Sequence, residues 1–153
     1  MSAPAIPGLT HSVKLRVYYE DTDASGIVYH ANYLKFAERG RTEMMRALGF
    51  AHSGIAAETG IVFTVRQVNA DFRLPARLDD LLSVETRIAE IGGARLRLDQ
   101  RICRDDTLLA ALDMVIACIG ADGRPRRIPP ALRIALAAAD PSSVLPSIVA
   151  KTP

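Results

Sequence analysis

VKLRVYYEDTDASGIVYHANYLKFAERGRTEMMRALG, residues 13–49, carries two hydrophobic periods in one run, and the switch between them decides the fold. In VKLRVYYE, Val13, Leu15, Val17 and Tyr19 alternate with Lys14, Arg16, Tyr18 and Glu20, the period of two that marks a half-buried strand. From Ala31 onward Tyr33, Leu34, Ala37, Met44, Met45 and Leu48 recur at helical spacing. Arg39, Arg41, Glu43 and Arg46 keep the other sides polar, and Gly49 offers a stop. A strand therefore feeds a long helix through the loop that begins at Asp21.

That loop imitates a metal site. Asp21, Asp23, Ser25 and Gly26 match the opening of an EF-hand calcium loop, which takes ligands at positions 1, 3 and 5 and turns on a glycine. The twelfth position should be a bidentate Glu; here it is Asn32, which carries no charge. An EF-hand also needs a helix leading in, where this chain has a strand. Calcium is rejected on both counts, and no metal or cofactor is expected.

The chain of 153 residues fits one domain with a real core. Its formal net charge of +2, with basic residues spread along the sequence, gives no argument for nucleic acid. Cys103 and Cys118 lack the spacing of a zinc site and read as core thiols in a reducing compartment. The opening MSAPAIPGLTHS has neither a basic n-region nor an apolar run, and nothing later approaches the ~20 apolar residues of a spanning helix. A cytoplasmic location is expected.

Strands follow the helix. IVFTVRQVNADFRLP alternates with a change of phase near Arg66 and Gln67 that suggests a bulge, placing Val68, Ala70, Phe72 and Leu74 on one side. PARLDD reads as a turn, and LLSVETRIAEI alternates again. Gly92-Gly93 then joins it by a tight hairpin to ARLRLDQRICR. TLLAALDMVIACI is apolar enough to suit a buried strand or a helix, but Asp105-Asp106 and GADGRP punctuate it like a strand. A short helix is predicted after Pro129 and Pro130. Strands grouped apart from one long helix indicate an α+β fold, an antiparallel sheet wrapped around that helix.

RVYYEDTDASGIVYHANYLKFAERGRTEMMRALG, with RLPARLDDLL downstream, closely resembles the acyl-CoA thioesterases of the hotdog fold. Within them it is most similar to the 4-hydroxybenzoyl-CoA thioesterase family and its Tol-Pal system-associated branch. The resemblance rests on a Tyr-Glu-Asp-Thr-Asp run, then a Gly, a Tyr-His pair and a Tyr on the helix. It implies a hotdog domain over residues 13–139, flanked by an N-terminal extension at 1–12 and a tail at 140–153. It also implies hydrolysis of an acyl-CoA, subunits paired edge to edge as a homodimer or homotetramer, and a site at the subunit interface. Association with membrane-linked protein complexes is implied by resemblance alone. The catalytic carboxylate falls on Asp23, accompanied by Tyr19 and His30. Two positions depart from the relatives: Ser25 stands where they usually have Gly, and Gly40 sits inside the helix, where it leaves room for a close approach to the sheet.

Thioester hydrolysis needs a nucleophile or base and positive potential at the carbonyl oxygen. Free N–H groups near His30 and Ala31, at the helix start, would polarise that oxygen, and Gly26 would let the loop turn tightly. Asp23 would attack the carbonyl or deprotonate water; its alternative role is to rigidify the loop. His30 would orient water or the leaving thiolate, or fill a polar position. Tyr19 belongs to the site or packs in the core, and Asp21 is structural. Ser25 has no His-Asp partners for a nucleophile. Arg77, Arg95 and Arg97 are candidates for the coenzyme A phosphates, or a solvated face. The competing functions are an acyl-thioester dehydratase and a hotdog scaffold that binds thioesters or proteins without turnover.

Overall fold

The computed structural model describes residues 11–139. The expected tail lies outside the described residues, as does the N-terminal extension apart from His11 and Ser12. Strand β1 (His11–Arg16) leads through a single 3-10 turn (Tyr19–Asp21) to α1 (His30–Ala47), then α2 (His52–Thr59). Strands β2 (Val62–Phe72), β3 (Leu81–Ile91), β4 (Arg95–Arg104) and β5 (Thr107–Ile119) follow, and α3 (Pro130–Ala139) closes the order. The sheet runs β1-β3-β4-β5-β2 with every neighbouring pair antiparallel.

The strands after the helix fall where alternation, the Gly92-Gly93 hairpin and the turn signals around TLLAALDMVIACI put them. Gly92 donates its N–H to Arg95 O at 2.8 Å across the β3–β4 hairpin, and the β2–β5 register shifts between Val65 and Gln67, where the phase change predicted a bulge. Two local readings differ. The first strand ends at Arg16 instead of running on to Glu20, because the carboxylate of Asp21 accepts the Tyr18 N–H at 2.8 Å and curls the chain. Helix α2 was not foreseen: Ile55 is its one buried residue, so it carries no amphipathic period.

Helix α1 lies across the sheet and buries Tyr33, Phe36, Ala37, Gly40, Met44 and Met45. Leu82, Val84, Thr86 and Ile88 of β3 and Leu98 and Ile102 of β4 are also buried, at 3% exposure or less. The helix ends on Gly49 at φ +91, where the Gly49 N–H reaches Arg46 O and the Phe50 N–H reaches Met45 O, the two bonds of a Schellman motif. Midway along the contact, a Cβ on Gly40 would stand 2.5 Å from Val84 Cγ1 and 3.1 Å from Gln100 Nε2. The absent side chain thus sets the helix–sheet distance. Gln100, 1% exposed, bonds through Nε2 to Ala37 O at 2.9 Å and Thr86 Oγ1 at 3.0 Å, so the close approach leaves this buried amide satisfied.

Ala in place of Gly40 gains helix propensity of about 1 kcal/mol, against overpacking that costs roughly 1–3 kcal/mol at a well-packed contact. Gly40→Ala is therefore expected to lower the urea midpoint of unfolding. An unchanged or raised midpoint would show that the helix does not depend on this close approach.

Candidate active site

The loop between the 3-10 turn and α1 is a small hairpin. Thr22 and Val28 form an isolated antiparallel bridge, Asp23 N–H donates to Ile27 O at 2.9 Å, and Gly26 N–H donates to Asp23 O at 3.0 Å. Gly26 has φ +79, a conformation an L side chain would strain, so this residue makes the turn possible. Asp21 and Asp23, two residues apart, are used differently. Asp21 is 4% exposed; its Oδ2 accepts the Tyr18 N–H and its Oδ1 accepts Asn32 Nδ2 at 2.9 Å, while its carbonyl accepts the Tyr29 N–H at 3.0 Å. Both carboxylate oxygens are committed, in keeping with a structural role. Asp23 is exposed, and only its Oδ1 is engaged, by the Ser25 N–H at 2.8 Å; Oδ2 has no protein partner among the described residues. The Asx turn accounts for the loop-rigidifying reading and still leaves one oxygen open to a substrate.

A second loop, residues 73–80, is fastened to the first. Val28 N–H donates to Ala76 O at 2.9 Å, Ala76 N–H donates to the Tyr33 hydroxyl at 2.9 Å, and Ile27 bridges Arg77. Burial holds the Tyr33 hydroxyl above the usual tyrosine range, so it stays protonated near neutral pH. Arg104 Nη1 ties down the far side of that loop through Asp80 Oδ2 at 2.7 Å and Pro75 O at 3.3 Å. Against the upward push of burial, Arg104 and the Arg77 N–H hold the Asp80 carboxyl below its ordinary value.

Helix α1 begins at His30 with Tyr29 as N-cap, without a side-chain cap and without an acidic residue in its first turn. Asn32 N–H turns back to Tyr29 O at 2.8 Å, whereas the amides of His30 and Ala31 have no intrahelical acceptor. The positive end of the helix dipole is therefore not offset by a carboxylate of the helix. The His30 ring packs 4.5 Å from Tyr29 and 6.2 Å from Phe72, and with Val28, Tyr33, Phe72 and Leu74 it lines a cavity of about 250 Å³.

Of the residues expected at the site, His30 lines that cavity, Ala31 lies at the helix start beside it, and Asp23 and Gly26 form the neighbouring turn. Tyr19 is 83% exposed, which removes the core-packing alternative and places its ring in solvent beside the loop. Arg77 is joined to the loop; Arg95 and Arg97 are exposed on β4, alternating with the buried Leu96 and Leu98, on the sheet face away from α1. Cys103 and Cys118 are free and buried, and burial pushes the Cys103 thiol up to about 11, so neither is a reactive thiolate. Among the described residues no group of His, Cys, Asp and Glu is placed to hold a metal ion. The sequence reading missed Asn32, which holds Asp21, Tyr33, which holds the second loop to α1, and Arg104, which braces that loop. Asn32 had a signal, a polar residue on the first turn of an apolar helix face; the Arg104–Asp80 pair, 24 residues apart, had none.

Comparison with known proteins agrees with this fold. The thioesterase superfamily profile matches residues 25–111. Over 108 residues, 71% of this chain and 79% of the relative, the sequence is 44% identical to the acyl-CoA thioesterase YbgC of Haemophilus influenzae. Over 117 residues, 75% of this chain and 87% of the relative, it is 43% identical to the acyl-CoA thioester hydrolase YbgC of Escherichia coli O157:H7. A solved structure, a probable thioesterase from Bartonella henselae, superposes with a TM-score of 0.76 at 42% identity, covering 78% of this chain and 98% of that one. A profile match over more than half the chain, relatives aligned over most of their length, and a five-stranded antiparallel sheet around a long helix together make this chain a hotdog-fold member of the thioesterase superfamily.

Proposed function

We propose that the chain hydrolyses acyl-coenzyme A thioesters to a free carboxylic acid and coenzyme A, at the junction of the Asp23 turn and the start of α1. The observation that carries this reading is the pairing of an exposed carboxylate, with one oxygen free, and a helix start whose first amides lack a side-chain cap. The names of the Haemophilus and Escherichia relatives support the substrate class. The thioester oxygen accepts from the His30 and Ala31 N–H groups, which stabilise the negative charge that develops as the carbonyl becomes tetrahedral. Asp23 then acts in one of two ways. Its oxygen adds to the carbonyl and expels the coenzyme A thiolate, leaving a mixed anhydride that water opens; or it takes a proton from water as the water adds, and collapse of the adduct expels the thiolate, which receives that proton. His30, beside the amides, orients the water or the thiolate. Tyr19 stands on the exposed side of the loop and covers the substrate.

The working unit in this reading is at least a homodimer. Strand β2 is an edge strand whose Val62, Val65, Val68 and Phe72 are 38–46% exposed, and an apolar sheet edge is relieved by pairing. The partner's β2 then closes the site over the start of α1. No described helix is long and apolar enough to cross a membrane. A cytoplasmic location, and association with the membrane-linked Tol-Pal complex, follow from the sequence reading and the resemblance.

Asp23→Asn should keep the fold, because the amide oxygen can still accept from Ser25, and should lose at least about a hundredfold in thiol release from acyl-CoA, the usual scale of a lost base or nucleophile. Turnover near the wild-type rate in that variant would remove Asp23 from the chemistry. Specific activity should also fall on dilution in step with the appearance of monomer by light scattering. A fully active monomer would contradict the shared site.

A further inference from the structure

A second cavity, of about 520 Å³, lies farther along α1 and plays no part in the hydrolysis described above. Its walls are mostly apolar, with Met44 and Met45 from α1, Ile55 from α2, Leu98 from β4 and Ile116 from β5, while Glu38 and His52 add polar groups at the wall. Into this setting the fold places Arg41. Its Nη1 donates to Gln100 Oε1 at 3.1 Å and approaches Met114 Sδ at 2.9 Å. Gln100 is not free to turn away, since its Nε2 is bound to Ala37 O and Thr86 Oγ1. The guanidinium is thus fixed by neutral groups.

Among the described residues no ion pair includes Arg41; Glu38 acts on it only through space and is itself exposed. An arginine keeps its charge even when burial weakens its hold on the proton. Its other N–H groups have no acceptor among the described residues, yet they are not sealed in the core, where the one unpartnered buried polar side-chain atom among those residues is His11 Nδ1. They open on the cavity that Arg41 lines. A half-buried cation with unused donors, among mostly apolar walls and without an ion pair to the Glu38 carboxylate nearby, is a site for an anion that brings apolar length with it.

The cavity and the proposed reaction centre lie along the same side of α1, with different lining residues. Arg41 is eleven residues beyond His30, about three turns, so the two side chains share one face of α1. Leu34, 37% exposed, lies on that face between them. Opposite, Val65, Val68 and Phe72 of β2 pair with the buried Ile116, Met114 and Ala110 of β5, so they point to the helix side; they are 43, 38 and 46% exposed. Apolar side chains thus flank a track along α1 from His30 toward Arg41, with Glu38 at the Arg41 end. Helical side chains lean toward the N-terminus, and Gln100 couples the guanidinium to the level of Ala37. The separation from the His30 amide is thus seven residues of helix, roughly 10 Å.

We propose that this cavity receives the far end of the acyl group and that Arg41 is a specificity residue for acyl chains that end in a carboxylate, so that the preferred substrates are coenzyme A monothioesters of medium-length dicarboxylic acids. The inference rests on the acyl-CoA hydrolysis reading above. Methylenes occupy the track, and the distal carboxylate meets the planar guanidinium fork. A chain ending in methyl would instead bury the open N–H groups without an acceptor, a form of discrimination stronger than that of an apolar pocket.

The test compares kcat/KM for octanedioyl-CoA and octanoyl-CoA, equal in length and different only at the far end, in the wild type, Arg41→Met and Arg41→Lys. The wild type is expected to prefer octanedioyl-CoA by at least about tenfold, the scale of a charge-assisted bidentate contact. Arg41→Met should lose that ratio, and Arg41→Lys, which keeps the charge without the fork, should fall between. Equal or greater efficiency on octanoyl-CoA in the wild type, or an unchanged ratio in Arg41→Met, would overturn the assignment while leaving acyl-CoA hydrolysis standing. Failure to hydrolyse either thioester would overturn both. If Arg41→Met does not fold, the wild-type ratio and Arg41→Lys decide the matter.

Discussion

The buried carboxylate of Asp21 joins the end of the first strand to the start of the long helix, and the proposed chemistry depends on that joint. One oxygen holds the Tyr18 N–H, the other holds the Asn32 side chain, and the backbone carbonyl holds the Tyr29 N–H. A carboxylate this buried is tolerated because each oxygen has a donor. The consequence is geometric. With Tyr18, Tyr29 and Asn32 fixed around one residue, the intervening turn that carries Asp23 has little freedom, and the proposed chemistry takes its carboxylate to face the first amides of α1. Asn32 meets Asp21 from inside the helix, and Tyr29 at the N-cap supplies no side-chain acceptor, so the amides of His30 and Ala31 are left for another one.

The helix in turn is positioned by what it lacks. Gly40 lets α1 settle against Val84 and Thr86, and Gln100 fills the contact with three hydrogen bonds, one of them to Arg41. The same contact sets the lie of α1 at the reaction centre and the orientation of the guanidinium in the far cavity. A shift of the helix would move both ends of the proposed acyl site together. On the other side β2 contributes an exposed apolar edge, which gives the acyl track one wall and gives the proposed partner subunit its place.

Much of this was legible in the sequence because it follows from period. The change from two to helical spacing after Asp21 placed the strand, the loop and α1; alternation placed β2 and β3, the Gly92-Gly93 hairpin placed β4, and the flanking turn signals placed β5. The phase slip at Arg66 and Gln67 marked the bulge, and Gly40 read correctly as a point of close approach. What stayed hidden was of two kinds. Helix α2 buries only Ile55, so it has no face for a pattern to reveal. Long-range polar pairs, such as Tyr33 with Ala76, Arg104 with Asp80 and Arg41 with Gln100, bring together residues that nothing local distinguishes. Asn32 was read only as a failed calcium ligand; it was visible as polar on an apolar face, but its partner Asp21 was not. Catalytic roles for Asp23, His30 and Tyr19 came from resemblance, to which the coordinates add position and hydrogen bonding.

The central claim is that the first amides of α1 polarise the thioester carbonyl. It is tested most directly by the infrared carbonyl stretch of an isotopically labelled acyl-CoA bound intact to the Asp23→Asn chain. Hydrogen bonds from His30 and Ala31 predict a stretch at lower frequency than for the same thioester free in water, since preorganised donors in a sheltered site outdo solvent. A bound carbonyl with a stretch unshifted or raised in frequency would contradict the account.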